Sequence, residues 1–232
     1  MYKILVCDDE KDIVSALEIY LKAAGYAVIC TCNGQEALEV LQKEEIHLVL
    51  LDIMMPVMDG METLKNIRET SNVPVIFLTA KGEDMDLIQG LTLGADDYIT
   101  KPFRPMELQA RVYSQIRRYT LLGGKTDREE DDPEILRIGS IELDDAAKEV
   151  TSDGKPVSLT PTEYDILKLL MQNPGKVFSP REIYRQVWNS PAFDGEGTVS
   201  VHIRHLREKL EIDPSAPRYL KVVWGRGYKI EH

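Results

Sequence analysis

Five short apolar runs, separated by stretches of helical periodicity, dominate the first 120 residues. They are Ile4-Leu5-Val6-Cys7, Ala27-Val28-Ile29-Cys30, Leu48-Val49-Leu50-Leu51, Val75-Ile76-Phe77-Leu78 and Tyr98-Ile99. Runs this short, continuous and rich in branched residues suit strands covered on both faces. Between the first two, Ile13, Leu17, Tyr20, Leu21 and Ala24 recur at helical spacing, and Gly25 stands where a helix ends. Ala37, Leu38 and Leu41 repeat the pattern, as do Leu108, Val112 and Ile116. Five βα units in sequence leave few topologies. The expected class is α/β, a doubly wound five-stranded parallel sheet over residues 1–120, with ligands bound beyond the carboxyl ends of its strands.

From Leu122 that grammar stops. Residues 121–135, with Gly123-Gly124, Asp131-Asp132 and Pro133, have no apolar periodicity and suit a flexible acidic linker. Residues 136–232 then form a second, α+β domain. Short strand-like pieces surround an Asp153-Gly154 hairpin turn. Thr160-Pro161-Thr162-Glu163 and Ser179-Pro180-Arg181-Glu182 each offer an N-cap hydroxyl, a proline at N1 and a glutamate at N3, the signature of a capping box. Leu159 with Tyr164, and Phe178 with Ile183, supply hydrophobic staples. A third helix is expected from about Thr198 to Glu211, then a hairpin around Gly225-Arg226-Gly227. Three helices followed by a hairpin describe a winged helix.

The net charge of −11 argues against nucleic acid only until it is divided. Residues 1–120 carry net −7 and the linker −4, whereas residues 136–232 are neutral and 198–232 carry +3. Two modules with different partners fit this division. Hydrophobic residues at 43% and charged residues at 29% are ordinary for a folded chain. No apolar run approaches the ~18 residues of a membrane span, and Met1-Tyr2-Lys3 leads straight into a strand, so the expected location is the cytoplasm, with no membrane partner. Cys7, Cys30 and Cys32 have no zinc spacing and are expected to be buried strand residues.

Asp8 and Asp9 follow the first strand and Asp52 follows the third, which are neighbours in a doubly wound sheet. Three converging carboxylates repel one another, and hard oxygen ligands in that number suit Mg²⁺. Thr79 and Lys101 end the fourth and fifth strands and add a hydroxyl and a cation to the same rim. A carboxylate there could attack phosphorus and form an acyl phosphate, with metal and lysine offsetting the charge of the transferring group. Any one of these residues could merely cap a helix; five suitable residues at the strand ends point to a site.

These residues carry a resemblance. Asp8-Asp9, Asp52 followed by Met55-Pro56 and Asp59-Gly60, Thr79-Ala80 and Lys101-Pro102-Phe103 resemble the receiver domain, flavodoxin-like in fold, of bacterial response regulators. Gly94-Ala95-Asp96-Asp97-Tyr98-Ile99-Thr100-Lys101-Pro102-Phe103 narrows the resemblance to the OmpR/PhoB family. His202-Ile203-Arg204-His205-Leu206-Arg207-Glu208-Lys209 and Val223-Trp224-Gly225 are similar to the VanR branch. The resemblance implies that Asp52 takes phosphate from a sensor histidine kinase. Asp9, Asp52 and the Met54 carbonyl would hold Mg²⁺ with Asp8 assisting, and Thr79, Tyr98 and Lys101 would read the phosphate. It also implies a phosphorylation-dependent homodimer through Asp96, Asp97, Glu107, Arg111, Arg117 and Arg118. Many relatives pair a cation at Leu87 with the residue matching Glu107, a pair this chain cannot form. The loop from Trp188 to Gly197 resembles one that touches RNA polymerase.

On the third helix Val199, Ile203, Leu206 and Leu210 share one face, the expected core. The remaining surface offers Thr198, Ser200, Val201, His202, Arg204, His205, Arg207, Glu208 and Lys209. Arginine suits phosphate or guanine and valine a thymine methyl, so this helix is expected in the major groove of double-stranded DNA. The resemblance adds Arg226 and Lys229 on the wing, and binding to direct repeats. Many relatives carry arginine where this chain has Gly197, His205 and Trp224.

Turnover of a diffusing substrate is disfavoured. Many aspartate-nucleophile phosphohydrolases need a second aspartate two residues on, and here that residue is Met54. No nucleotide-binding glycine motif follows a strand. The expectation is a phosphorylation-switched transcription regulator, with at most slow Mg²⁺-dependent self-phosphorylation and dephosphorylation. The alternative is a DNA-binding regulator of the same architecture that acts independently of phosphorylation.

Overall fold

The structure, a computed structural model, describes residues 1–80, 93–123, 135–188 and 196–231, with backbone only at 121–123 and 196. Leu87, residues 124–134 of the expected linker and residues 189–195 of the loop after Trp188 lie outside the described residues. The chain divides into two compact units, Met1–Tyr119 and Thr120–His232.

The first unit runs β1 (Lys3–Cys7), α1 (Lys11–Ala23), β2 (Ala27–Thr31), α2 (Gly34–Lys43), β3 (Leu48–Asp52), α3 (Gly60–Thr70), β4 (Val75–Ala80) and β5 (Asp97–Lys101), and α4 (Pro105–Gly123) follows. Its strands form one parallel sheet in the order β2-β1-β3-β4-β5. Ile4, Val6, Leu48, Leu50, Ile76 and Leu78 point to one face and pack with Leu17 and Leu21 of α1 and with Leu108, Val112 and Ile116 of α4. Each such side chain contributes on the order of 1.5–3 kcal/mol by leaving water. Gly25, at φ +89°, closes α1: its N–H donates to the Lys22 carbonyl, and Tyr26 N–H donates to that of Leu21.

The cysteines correct an expectation. Only Cys7 is buried, and burial pushes its thiol up to about 12. Cys30 and Cys32 are exposed because β2 is an edge strand and Cys32 lies past its end.

The second unit opens with an antiparallel sheet of β6 (Ile135–Ile138), β7 (Ile141–Asp144), β8 (Glu149–Ser152) and β9 (Lys155–Pro156). Asp153 and Gly154, both at positive φ, make the tight β8–β9 turn. Helices α5 (Pro161–Met171), α6 (Pro180–Trp188) and α7 (Glu196–Leu210) follow, then the hairpin β10 (Leu220–Val223) and β11 (Gly227–Ile230). Both capping boxes form: Glu163 N–H donates to Thr160 Oγ and Glu182 N–H to Ser179 Oγ, while each glutamate accepts from the N-cap N–H. The staple residues Phe178, Ile183 and Tyr164 lie in the core, with Leu159 packed against it.

Two side chains tie α7 to the hairpin. Arg207 donates from Nε and Nη2 to the Leu220 carbonyl, at 3.0 and 2.8 Å. Glu211 accepts from the N–H groups of Arg218, Tyr219 and Leu220 at 2.7–2.8 Å. A β-bridge joins the hairpin to Phe178, and there Gly227 has no room for a Cβ, which would stand 2.0 Å from the Phe178 carbonyl oxygen. Among the described residues no helix is long and apolar enough to cross a membrane.

Candidate functional site

The sheet order brings the acidic residues together. Cys7 pairs with Leu51, so Asp8 and Asp9 emerge beside Asp52; Asp52 pairs with Leu78 and Lys101 with Ala80, so Thr79 and Lys101 share the rim. Carboxylate oxygens of Asp8, Asp9 and Asp52 all lie within 4.8 Å of one another. Asp8 and Asp52 are buried, and Asp9 is exposed. Lys101 Nζ lies 2.8 Å from Asp52, 2.7 Å from Asp8 and 3.1 Å from Glu10. Burial pushes the Asp52 carboxyl up to about 6, against the pull of Lys101, and Asp8 and Asp9 add to the rise. Burial would lower the Lys101 ammonium, but Asp52 and Asp8 hold it above its ordinary value. Gly60 starts α3 against the backbone of Asp52, where a Cβ would stand 2.2 Å from the Asp52 carbonyl oxygen. Thr79 is buried, its hydroxyl donating to the Ala80 carbonyl, and Tyr98 is half-buried with the Arg111 guanidinium 5.9 Å from its ring centre. The Lys101–Pro102 peptide is cis.

The expected dimer surface is largely turned inward. Asp96 is buried, paired with Arg68 at 2.9 Å and accepting from Val75 N–H, which corrects its placement on an open face. Asp97 and Arg111 are buried as a pair at 2.8 Å, and Arg111 also holds Glu107 at 2.9 Å one turn back on α4. Arg118 is buried as well, and Arg117 is exposed. Charges read as intermolecular from the sequence find partners within the chain.

On α7 the core stripe holds: Val199, Ile203, Leu206 and Leu210 are all buried. The outward face is narrower than expected. Thr198, His202 and His205 are buried, a correction to their assignment as surface contacts. His202 packs on Trp188, ring centres 5.8 Å apart, and His205 Nδ1 stands 3.5 Å from Glu163, because α5 and α6 reach round both sides of the helix. Arg207 is half-buried and committed to the Leu220 carbonyl. Lys209 pairs with Glu163 at 2.6 Å while staying one-third exposed. What remains open is Ser200, Arg204, Glu208 and Lys209, with Val201 half-buried; Arg204 lies 2.8 Å from Glu208. On the hairpin Arg226 is exposed, Lys229 is half-buried beside Glu231, and Trp224 is 89% exposed at the tip.

Residues 4–113 match the response regulator receiver domain, and residues 154–230 match the C-terminal domain of transcriptional regulatory proteins. The chain is 46% identical to the uncharacterized transcriptional regulatory protein YrkP of Bacillus subtilis, over 98% of this chain and 97% of the relative. It is 44% identical to the regulatory protein VanR of Enterococcus faecium, over 99% and 98%. Among solved structures, the response regulator DrrB, a Thermotoga maritima OmpR/PhoB homolog, is 33% identical with a TM-score of 0.51 over the whole of both chains.

The chain belongs to the OmpR/PhoB-type response regulators. It is a two-component response regulator with a receiver domain and a winged-helix DNA-binding domain, in a family of transcriptional regulators. Its acidic pocket fits Mg²⁺: the donors are hard oxygens, two buried and one open to water, close enough to share one ion. Two residues of this response regulator were not singled out from sequence. Glu10, which supplies the third anion to Lys101, follows Asp8-Asp9 directly and could have been found there. Glu163 was read only as a cap, and nothing in its local sequence announces a partner on α7.

Proposed function

We propose that this response regulator is switched by phosphorylation of Asp52. The phosphoryl group comes from a phosphohistidine of a sensor histidine kinase: an Asp52 oxygen forms the new bond to phosphorus as the bond to the imidazole nitrogen breaks, leaving an acyl phosphate. The observation that carries this reading is the Lys101 ammonium, 2.8 Å from a buried carboxylate at the end of a strand. It holds positive charge where the transferring group gains negative charge. Asp8, Asp9, Asp52 and the Met54 carbonyl would hold Mg²⁺, which supplies further charge neutralisation when bound. Met54, two residues past the nucleophile, has a thioether that cannot carry a proton, which favours a long-lived phosphate over turnover.

Phosphate adds about −1.5 to −2 charges and new acceptor oxygens. These draw on Lys101 and Thr79, and Tyr98 follows, altering the β5–α4 surface and favouring a homodimer. The DNA-binding domains then sit on direct repeats through Ser200, Val201, Arg204, Lys209, Arg226 and Lys229, with RNA polymerase as a further partner, in the cytoplasm.

The test is acetyl phosphate with Mg²⁺. Wild type should gain one acid-stable, base-labile phosphate and bind its site more tightly, and Asp52→Asn should gain neither. Normal phosphorylation of Asp52→Asn overturns the assignment.

A further inference from the structure

A second set of metal-type ligands lies in the winged-helix unit, away from the acidic pocket. Glu163, in the first turn of α5, faces His202 and His205 on α7, and the three residues are 1%, 1% and 6% exposed. Spacing of three places both imidazoles on one side of α7. One ligand atom from each residue lies within 4.8 Å of the other two, and His205 Nδ1 is 3.5 Å from Glu163 Oε1. Two donors on a tetrahedral Zn²⁺, with bonds of ~2.0–2.1 Å, stand ~3.4 Å apart. One pair is therefore already at ligand spacing, and no pair in the set has to close by more than about 1.4 Å.

We propose that Glu163, His202 and His205 form a binding site for a divalent first-row transition ion of the Zn²⁺ type, with water in the fourth position. Two imidazoles and one carboxylate suit Zn²⁺ and its neighbours, whereas the all-oxygen pocket of the receiver suits Mg²⁺. Glu163 can serve without losing its cap. Its Oε2 accepts from Thr160 N–H and pairs with Lys209, while its Oε1, which faces His205 Nδ1 at 3.5 Å, would take the ion between them. The ion's charge beside Lys209 turns that partly exposed ammonium outward. The ion also fastens the start of α5 to the middle of α7, so it stabilises the unit that holds it.

Trp188 gives the site a reporter, since its ring lies 5.8 Å from that of His202. The chain has two tryptophans, so a Trp224→Phe background leaves Trp188 as the sole tryptophan. The full-length protein, held in millimolar Mg²⁺ to occupy the acidic pocket, is titrated with Co²⁺ and then with Zn²⁺. A four-coordinate Co²⁺ absorption band should appear as Trp188 emission falls, and Zn²⁺ should reverse both. His205→Arg places a cation beside Glu163 and removes a ligand; it should lower Co²⁺ affinity by roughly 10–100-fold or more. Melting in EDTA checks that this variant is folded, and Zn²⁺ should raise Tm in the parent only. Absence of the Co²⁺ band overturns the proposal. So does a band equally strong in parent and His205→Arg, which would place the ion in the receiver pocket.

Discussion

At Asp52, burial and the Lys101 ammonium pull in opposite directions, and burial wins: the carboxyl sits near 6 rather than its ordinary 3.8. An acid raised on folding takes up protons more readily in the folded state, so its contribution to stability grows as pH falls through 6 toward 3.8. The displacement sets a ceiling near ~3 kcal/mol, and solvent reaching the pocket leaves about 1–2 kcal/mol. Asp52→Asn should therefore raise Tm at pH 7.5 and change it little at pH 4.5; equal effects at both values would contradict the electrostatic origin. Uptake of phosphate from a small donor at low Mg²⁺ should likewise fall below about pH 6, as the nucleophile protonates. Asp8, Asp9, Asp52, Thr79 and Lys101 were legible in the sequence because each lies at or just past a strand end, which fixes where a side chain emerges; Glu10, a residue further on, was not.

At the scale of elements, Glu163 is the counter-case. Burial alone would raise its carboxyl, but His205, Lys209 and the Thr160 N–H together bring it down to about 2. The sign is now opposite. The stabilisation is fully present above the ordinary 4.5 and is lost as pH falls toward 2, on the order of 2–3 kcal/mol. Acid titration of wild type followed at Trp188 should show this loss, and Glu163→Gln should flatten it. The partners of Glu163 were not legible, because helical periodicity on α7 gives angular positions but not the width of the buried stripe. That width is set by Trp188 and Glu163 arriving from two other helices, distant in sequence. The same geometry separates two arginines that look alike on paper. Arg204→Ala should leave Tm unchanged and weaken specific DNA binding by about 1–3 kcal/mol, whereas Arg207→Ala should lower Tm by about 1.5–3 kcal/mol of stability through its lost bonds to Leu220. Similar melting curves for the two variants would refute the division. Strand order, the helices among the described residues, both capping boxes and the hairpins were read correctly because each rests on local chemistry. The inward turn of Asp96, Asp97 and Arg111 was not, because it depends on contacts made across β4, β5 and α4.

For the molecule as a whole, the net charge of −11 is concentrated at the front, and the proposed phosphate would make the receiver still more acidic. Self-association must therefore be bought by matched charges rather than by net attraction. Since Asp97 and Arg111 already pair with each other, exposed Arg117 is the cleaner probe of a dimer. Sedimentation of the full chain should show monomer becoming dimer on treatment with acetyl phosphate, and Arg117→Glu should weaken that dimer several-fold without changing phosphate uptake. A fully phosphorylated chain that stays monomeric would leave relief of inhibition as the mechanism.

The double tie of Arg207 and Glu211 to the start of β10 makes α7 and the hairpin a gauge rather than a hinge. Two patches on a rigid gauge measure a fixed length along a duplex, from the groove that α7 would enter to the neighbouring backbone that Arg226 would reach. One inserted base pair lengthens that interval by ~3.4 Å, and the ties of Arg207 and Glu211 oppose any shift of the hairpin to follow it. The slack has to come from the DNA, so targets for this chain would be sorted by how readily they bend between the two contacts as well as by the bases they present.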